Sequence, residues 1–350
     1  MDEKAALAFV SPGSLDQQTG GYVYDRRMLA RLRDKGVTID LRELPGRFPE
    51  TDDGANAAAA AVWSSLPPGR TVVVDGLALP AFQHAIAQQP GRHRLVVLVH
   101  HPLHLETGLS TTAADRLRSV ETVILAGAAR IVVTSAATAR AVAGLGIPES
   151  RISVVEPGTD VQRRTDRPHG SGTILLCVAT LTPRKGHLDL LAALTGVMHL
   201  PWSLHCVGST ERDPRTADSV RRQIEEWGLG DRVRLLGTLD ADALNEAYRS
   251  ASLFVLASHY EGYGMAFAEA LSHGLPVVGT GAGAVQATVP AGAGMIVPPA
   301  DRSALAAALA AVLSDPGLRA RLSEGARTAA ARLPSWERQA DRFLAIVRPA

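Results

Sequence analysis

The stretch Leu253-Phe-Val-Leu-Ala-Ser-His-Tyr-Glu-Gly-Tyr-Gly-Met-Ala-Phe-Ala-Glu-Ala-Leu-Ser-His-Gly-Leu-Pro-Val-Val278 reads as strand, loop, helix and strand. Leu253–Ala257 is a short unbroken apolar run, the pattern of a strand buried on both faces. Met265–Ser272 reads as a helix, which Gly274 and Pro276 stop. Pro276–Val278 then opens the next strand. Strand, covering helix and strand in that order is the building unit of a parallel sheet. The loop carries its own message. Glu261 precedes the helix, Glu269 lies more than a turn inside it, and Gly262 and Gly264 stand between. A helix start behind flexible glycines offers unpaired N–H groups and a positive dipole end, which suit a phosphate. Gly262, Gly264, Met265 and Ala266 are therefore candidate donor-binding positions, with Glu261 and Glu269 facing different parts of one ligand. The plainer alternative makes Glu261 a cap and Glu269 part of a solvated helix face.

The same alternation extends in both directions. Upstream in the second half, strands are expected at Thr173–Val178, Ser203–Val207 and Val233–Leu236. In the first half they fall at Leu7–Val10, Val37–Leu41, Thr71–Val74, Leu95–His100, Ile131–Thr134 and Ile152–Val155. Helical stretches lie between, such as Tyr22–Lys35 before Gly36 and Ala113–Ala126 before Gly127. The pattern breaks around Pro157-Gly158-Thr159-Asp160 and through Gln162–Gly172, which places an interdomain linker there. With 350 residues, two domains are the expectation: 1–160 and 161–335. An amphipathic tail, Trp336–Val347, is positioned to pack back on the first domain. The fold class is α/β, with two Rossmann-like doubly wound domains facing across a cleft.

Composition narrows the function classes. Hydrophobic residues make up 46% and charged ones 20%, ordinary for a soluble globular chain. Lys and Arg number 36 against 35 Asp and Glu, without the basic excess of a nucleic-acid binder. The basic run Arg26, Arg27, Arg31, Arg33 and Lys35 lies beside Asp25 and Asp34 and reads as a solvated helix face. A peripheral membrane contact stays compatible with the sequence. Cys177 and Cys206 sit in apolar runs and read as buried reduced thiols. The first residues lack a signal-peptide pattern and no apolar stretch reaches ~20 residues, so a cytoplasmic location is expected.

Four further segments accompany the Glu261–Glu269 stretch: Val178-Ala-Thr-Leu-Thr-Pro-Arg-Lys-Gly186, Val154-Val-Glu-Pro-Gly-Thr-Asp160, Thr19-Gly-Gly21 and Leu95–His101. Taken with it in their order along the chain, they resemble the motifs of the family-4 retaining glycosyltransferases, which have the GT-B fold, and the set covers most of the chain. The resemblance implies transfer of a sugar from a nucleotide-diphosphate donor, with a UDP-sugar favoured, to an unidentified acceptor. It implies retention at the anomeric carbon by front-face substitution, no metal, and no cofactor beyond the sugar nucleotide, which is a substrate. Chemically, the growing charge on the leaving diphosphate needs cations and backbone donors. Lys185 supplies a point charge and Arg184 a planar fork. The family more often has Arg where Thr180 stands, which leaves open whether Arg184 replaces it or points to solvent. The resemblance also places Gly20 on the acceptor side, Gly21 near the donor phosphate, His100 near the transferred sugar, and Glu106 along the acceptor. Lys185, Glu261 and His100 are the candidate catalytic residues. His101 and His104 beside His100 raise a His-rich metal site, but no acidic ligand pattern accompanies them in the sequence.

One segment points elsewhere. Gly279-Thr-Gly281-Ala-Gly283-Ala284 satisfies a dinucleotide-binding pattern, with Asp301 twenty residues after Gly281. Pro290 would cut the following helix to about one turn, too short for that fingerprint. The family carries a glycine-rich loop here, usually followed by Glu, where this chain has Gln286. Two other readings share the fold: a nucleotide-sugar epimerase or hydrolase, and a non-enzymatic nucleotide-sugar sensor.

Overall fold

The structure is a computed structural model and describes residues 7–160, 162 and 173–348. Contacts divide the chain into two compact units. One runs to Gly158 and is rejoined by the chain from Pro334; the other is Thr159–Leu333. Most of the linker expected at 162–172 lies outside the described residues.

The first unit is built from β1 (Leu7–Ser11), α1 (Gly20–Asp34), β2 (Ile39–Glu43), α2 (Asp53–Ser65), β3 (Thr71–Asp75), α3 (Leu79–Gln88), β4 (Arg94–Val99), α4 (Thr111–Gly127), β5 (Arg130–Val133), α5 (Ala136–Ala143) and β6 (Ile152–Val154). All strands pair in parallel, in the order β2-β1-β3-β4-β5-β6. β1 and β3 are buried along their whole length, which is why they read as unbroken apolar runs. Helix starts follow the chemistry of their caps: Asp52, Ser110 and Ser135 accept hydrogen bonds from Ala55, Ala113 and Thr138 N–H at 2.8, 3.2 and 3.0 Å. Gly127, expected to stop a helix, is the last residue of α4. Gly20 and Gly21 lie in the first turn of α1 rather than before it.

The second unit contains β7 (Thr173–Val178), α6 (His187–Thr195), β8 (Trp202–Val207), α7 (Pro214–Glu226), β9 (Val233–Gly237), α8 (Ala241–Ser250), β10 (Leu253–Leu256), α9 (Met265–Ser272), β11 (Val277–Thr280), α10 (Val285–Thr288), β12 (Gly294–Val297), α11 (Arg302–Ser314) and α12 (Pro316–Ala330). Its parallel sheet runs β12-β11-β10-β7-β8-β9, the strand order of dinucleotide-binding folds. The short edge strand β12 has no counterpart in the sequence reading, because Gly294 and Pro298 frame it as a turn. Cys177 and Cys206 are free, buried and directly opposite on β7 and β8.

The last helix, α13 (Trp336–Val347), belongs to the first unit. The Trp336 ring meets Tyr24 edge-on at 5.8 Å. Arg94 donates to the carbonyls of Ile346 and Val347 at 3.0 and 2.9 Å, satisfying acceptors that a helix end leaves open. Much of the basic run on α1 is spoken for. Lys35 pairs with Glu337 and Asp341, Arg31 with Asp34, and Arg27 lies over Trp336. Among the described residues no helix is long and apolar enough to cross a membrane.

Candidate functional site

In the second unit the strand order reverses between β7 and β10, the place where parallel sheets open a crevice at their carboxyl ends. The loops leaving these two strands are joined there. After β7 the chain makes a short 3-10 turn, Pro183–Lys185, then Gly186 at φ 64°, where a side chain would bring Cβ within 1.9 Å of the Ala257 carbonyl oxygen. Only glycine permits that approach, and it draws the Arg-Lys pair against the β10 loop. His259 N–H donates to the Arg184 carbonyl at 2.8 Å, and the Arg184 guanidinium to the Tyr260 carbonyl at 2.9 Å.

Glu261 is the centre of this junction and is buried. Its Oε1 accepts from Lys185 Nζ and Ser258 Oγ, both at 2.6 Å, while Oε2 faces the Arg184 guanidinium at 3.7 Å. Burial by itself would raise the carboxyl, but Lys185, Arg184 and Ser258 outweigh it and hold the pKa below its ordinary value. The carboxylate faces two cations, beside the start of α9. Arg184 thus turns toward Glu261 instead of solvent.

Gly264 caps α9 in the left-handed region at φ 90°, with no side-chain cap. The first-turn N–H groups of Met265 and Ala266 precede the first intrahelical acceptors, as at any helix start. Five residues into the helix Glu269 accepts from the Tyr248 hydroxyl of α8 at 2.9 Å. Glu261 and Glu269 therefore keep separate partners. Tyr248, stacked on His273 at 4.9 Å, was not singled out in the sequence, since a buried tyrosine on an amphipathic helix has no signal that separates it from core.

The glycine-rich stretch after β11 has a structural explanation. A Cβ on Gly283 would lie 2.0 Å from the Glu261 carbonyl oxygen, and one on Gly281 2.3 Å from Ile296. Ala284 N–H donates to that same Glu261 carbonyl at 3.0 Å. The glycines let this loop press on the backbone that carries Glu261. The helix that follows, α10, has only four residues, which removes the long helix a dinucleotide fingerprint needs. Gln286 is exposed on it.

In the first unit the order reverses between β1 and β3. His100 stands one residue past the end of β4, not within it, and its Nε2 donates to Asp25 Oδ1 of α1 at 2.9 Å. Asp75, the last residue of β3, approaches the same nitrogen at 3.4 Å. Both carboxyls are buried. A Cβ on Gly21 would stand 3.2 Å from the His100 ring, so the glycine lets α1 start against the imidazole. Burial is the chief cause that raises Asp25, and with His100 opposing and Asp75 adding to the rise its carboxyl stands at about 8. Burial would depress His100, yet Asp25 and Asp75 raise it to about 10. Asp75 stays below its ordinary value despite burial, through His100, Asp25 and the Leu77 N–H. The three donor atoms converge within 4.8 Å, which by distance alone would admit a cation.

The neighbouring histidines have acids of their own. His104 pairs with buried Glu121 at 2.6 Å, and that carboxylate also accepts from Leu103 N–H at 2.7 Å, pinning the loop. His101 lies 3.7 Å from Glu106, which also caps Thr107 N–H at 3.1 Å. The acidic partners missing from the local sequence come from positions 25, 75 and 121, distant in the chain. Gly20 begins α1 and Glu106 is partly exposed just beyond the Leu103–Leu105 turn.

A cavity of about 350 Å³ adjoins this junction in the second unit, lined by Thr182, Gly186, Asp189, Arg215, His259 and Arg302 among others. Asp189 is shared by His259 at 2.7 Å and Arg302 at 2.6 Å. Lys185, Glu261 and Glu269 do not line it.

Comparison with known proteins follows the same division. The family model "Glycosyl transferases group 1" matches residues 160–329, and "Glycosyltransferase Family 4" matches 69–163. The chain is 29% identical over 253 residues to a D-inositol 3-phosphate glycosyltransferase of Catenulispora acidiphila, covering 66% of this chain and 59% of that protein. It is 32% identical over 237 residues to the enzyme of that name from Corynebacterium urealyticum, covering 62% and 56%. It thus spans a little over half the length of these curated relatives. Among solved structures, sucrose-phosphate synthase of Thermosynechococcus elongatus superposes with TM-score 0.80 at 22% identity, covering 97% of this chain and 98% of that one. Anabaena HepE in complex with UDP-glucose superposes with TM-score 0.76 at 18% identity, covering 97% and 99%. These likenesses establish the fold, GT-B.

Proposed function

We propose, from the premise that this chain belongs to the group 1 glycosyl transferases, that it moves a sugar from a nucleoside-diphosphate sugar to an acceptor hydroxyl with retention of configuration. The observation that carries the reading is the Lys185–Glu261–Arg184 junction at the strand-order reversal of the second sheet. A diphosphate accumulates negative charge as it leaves, and this junction sets two cations beside the first-turn N–H groups of α9. Lys185 and Arg184 neutralise the departing phosphates, with the Gly262–Gly264 turn and the N–H groups of Met265 and Ala266 around them. Glu261 fixes the Lys185 ammonium through Oε1 and keeps Oε2 for a sugar hydroxyl. Glu269, held by Tyr248, receives the ribose hydroxyls. On this reading the acceptor's proton passes to the leaving diphosphate on the same face, and no metal is needed for charge neutralisation.

A UDP-sugar is the favoured donor. UDP-glucose bound to Anabaena HepE, a protein of the same fold, supports trying it first. The acceptor side is assigned to Gly20 and Glu106, with Gly21 and His100 near the sugar. D-inositol 3-phosphate, which names the curated relatives, heads the acceptor screen. We place the activity in the cytoplasm, in keeping with two buried free thiols.

Calorimetric titration with UDP, GDP and ADP in EDTA tests the donor half, on wild type and Lys185→Ala. One nucleoside diphosphate should bind the wild type and bind the variant far more weakly. Silence from all three would sink the reading. Analysis of the product's anomeric configuration tests the mechanism, since an inverted product excludes front-face transfer. Release of free sugar without acceptor would favour a hydrolase, and binding without any turnover a sensor.

A further inference from the structure

The first unit contains a charge group that lies at its own strand-order reversal and that the donor chemistry leaves unexplained. Its parts come from three elements: Asp25 from α1, Asp75 from the end of β3, and His100 just past β4. Both carboxyls approach one atom, Nε2 of His100, at 2.9 and 3.4 Å. The other ring nitrogen, Nδ1, has no hydrogen-bond partner among the described residues and is not one of the orphaned buried polar atoms. The ring keeps 18% of its surface exposed, while the Asp25 and Asp75 side chains keep 0% and 5%. Tyr24 closes one side of the ring edge-on at 5.0 Å, and the start of α1 packs at Gly21 against its Cδ2 edge, where a Cβ would stand 3.2 Å away. Two acids are thus sealed behind the imidazole, and its free nitrogen faces outward.

We propose that Asp25 and Asp75 are positioning residues that keep His100 protonated, so that its Nδ1–H meets an anionic oxygen of the substrate as a fixed donor. The physical logic is one of charge. Two buried carboxyls cannot both ionise without a cation, and a neutral imidazole between them would leave both unbalanced. One carboxylate, one imidazolium and one neutral carboxyl sum to zero, which is the arrangement a buried group favours. With Nε2 fixed as donor toward Asp25, only the protonation of Nδ1 decides what His100 offers. As imidazolium it donates there; as neutral imidazole it would accept. The titratable groups facing the ring are Tyr24 and Asp25 on α1 and Asp75 on β3. The proposal rests on the reading that the first unit receives the reacting sugar.

The test separates the two claims. In the full chain labelled with 13C-histidine, the His100 Cε1 resonance, assigned through His100→Gln, is followed from pH 5 to 11. It needs no substrate. The wild-type midpoint is expected above pH 8, and Asp25→Asn and Asp75→Asn are each expected to lower it by at least one unit. A wild-type midpoint near 6.5 overturns the proposal whether or not the variants fold. So does a high midpoint that neither folded variant moves. With the donor identified by titration, kcat/KM against pH should show an alkaline limb at the His100 midpoint. In Asp25→Asn that limb should shift with the resonance, leaving ~10-fold less activity near pH 8.5 and a smaller deficit toward pH 6. A limb that stays in place while the resonance moves would show that the charge is not used. Failure of the donor titration, by contrast, would leave the His100 titration standing.

Discussion

Where β7 and β10 part, one buried carboxylate, Glu261, meets two cations; beside β1 and β3, one imidazole meets two buried carboxyls. Both groups sit at the reversal of strand order in a parallel sheet, so the fold offers each the same kind of crevice. They differ in which sign is in the majority. Lys185 and Arg184 of the second unit pull Glu261 below its ordinary pKa, whereas the first unit lifts Asp25 and His100 far above theirs. The comparison teaches that one scaffold can prepare a site for an anion in one half and store protons in the other. For Glu261 and His100 the charged neighbours overturn the effect of burial, whereas for Asp25 burial itself is the chief cause of the rise.

The sharpest way to break the comparison is at Lys185. Replacing it by Ala leaves the Glu261 carboxylate buried without its closest cation, so kcat/KM should fall by about 10²–10³. Stability should fall by about 3 kcal/mol, by urea titration. Adding Glu261→Gln should restore much of that stability but none of the activity, a double-mutant result that distinguishes charge balance from catalysis. Next come the glycines. Gly186→Ala meets a backbone oxygen at 1.9 Å in a left-handed conformation and should cost about 2–4 kcal/mol in the second unit. Gly21→Ala meets the edge of an imidazole at 3.2 Å, so a loss of about 1 kcal/mol is expected, together with a shifted His100 resonance. Equal losses at the two glycines would show that the rigidity assigned to the Gly186 turn is wrong.

Opposite charge majorities predict opposite pH responses. Asp25 and His100 have folded values of about 8 and 10, above their unfolded values near 4 and 6.5. Their stabilising contribution is full at low pH and is lost as pH rises, for His100 chiefly between about 6.5 and 10. Glu261 has a folded value below the unfolded one of 4.5, so its contribution is present above that value and lost as pH falls. Asp75 shares the acid-side sign, which gives the first unit both limbs. Scanning calorimetry from pH 4 to 10 should show an alkaline loss that Asp25→Asn flattens and Glu261→Gln leaves alone. The smallest effect is expected at Tyr248→Phe. It removes one hydrogen bond to Glu269, and nucleotide affinity should weaken by ~3- to 10-fold, about 1 kcal/mol. A nucleotide affinity unchanged by this substitution would detach Glu269 from the ribose.

Much of this was legible in the chain. The alternation of apolar runs and amphipathic stretches located eleven of the strands to within about two residues, since buried parallel strands need unbroken hydrophobic sequence. The helix Met265–Ser272 and the four-residue α10 followed from glycine and proline positions alone. Lys185 and Glu261 were marked separately by their motifs, 76 positions apart, and the structure joins them at 2.6 Å. Gly279, Gly281 and Gly283 imitated a cofactor loop because close backbone packing and phosphate approach demand the same residue. β12 was missed where turn-forming residues frame a short edge strand.

By itself, the sequence determined the two-sheet architecture, the elements that carry the candidate site and the residues flanking its helix start. These depend on local propensity and on periodicity, which neighbouring residues encode. Only the tertiary structure decided which charges meet. Asp75 and His100 gather because parallel strands deliver their carboxyl ends to one edge, and α1 brings Asp25 to the same place, however far apart the three lie in the chain. Tyr248 reaches Glu269 for a like reason, across two packed helices. A pKa is a property of such a gathering and of its burial, so the protons of this protein could not be counted until it was folded.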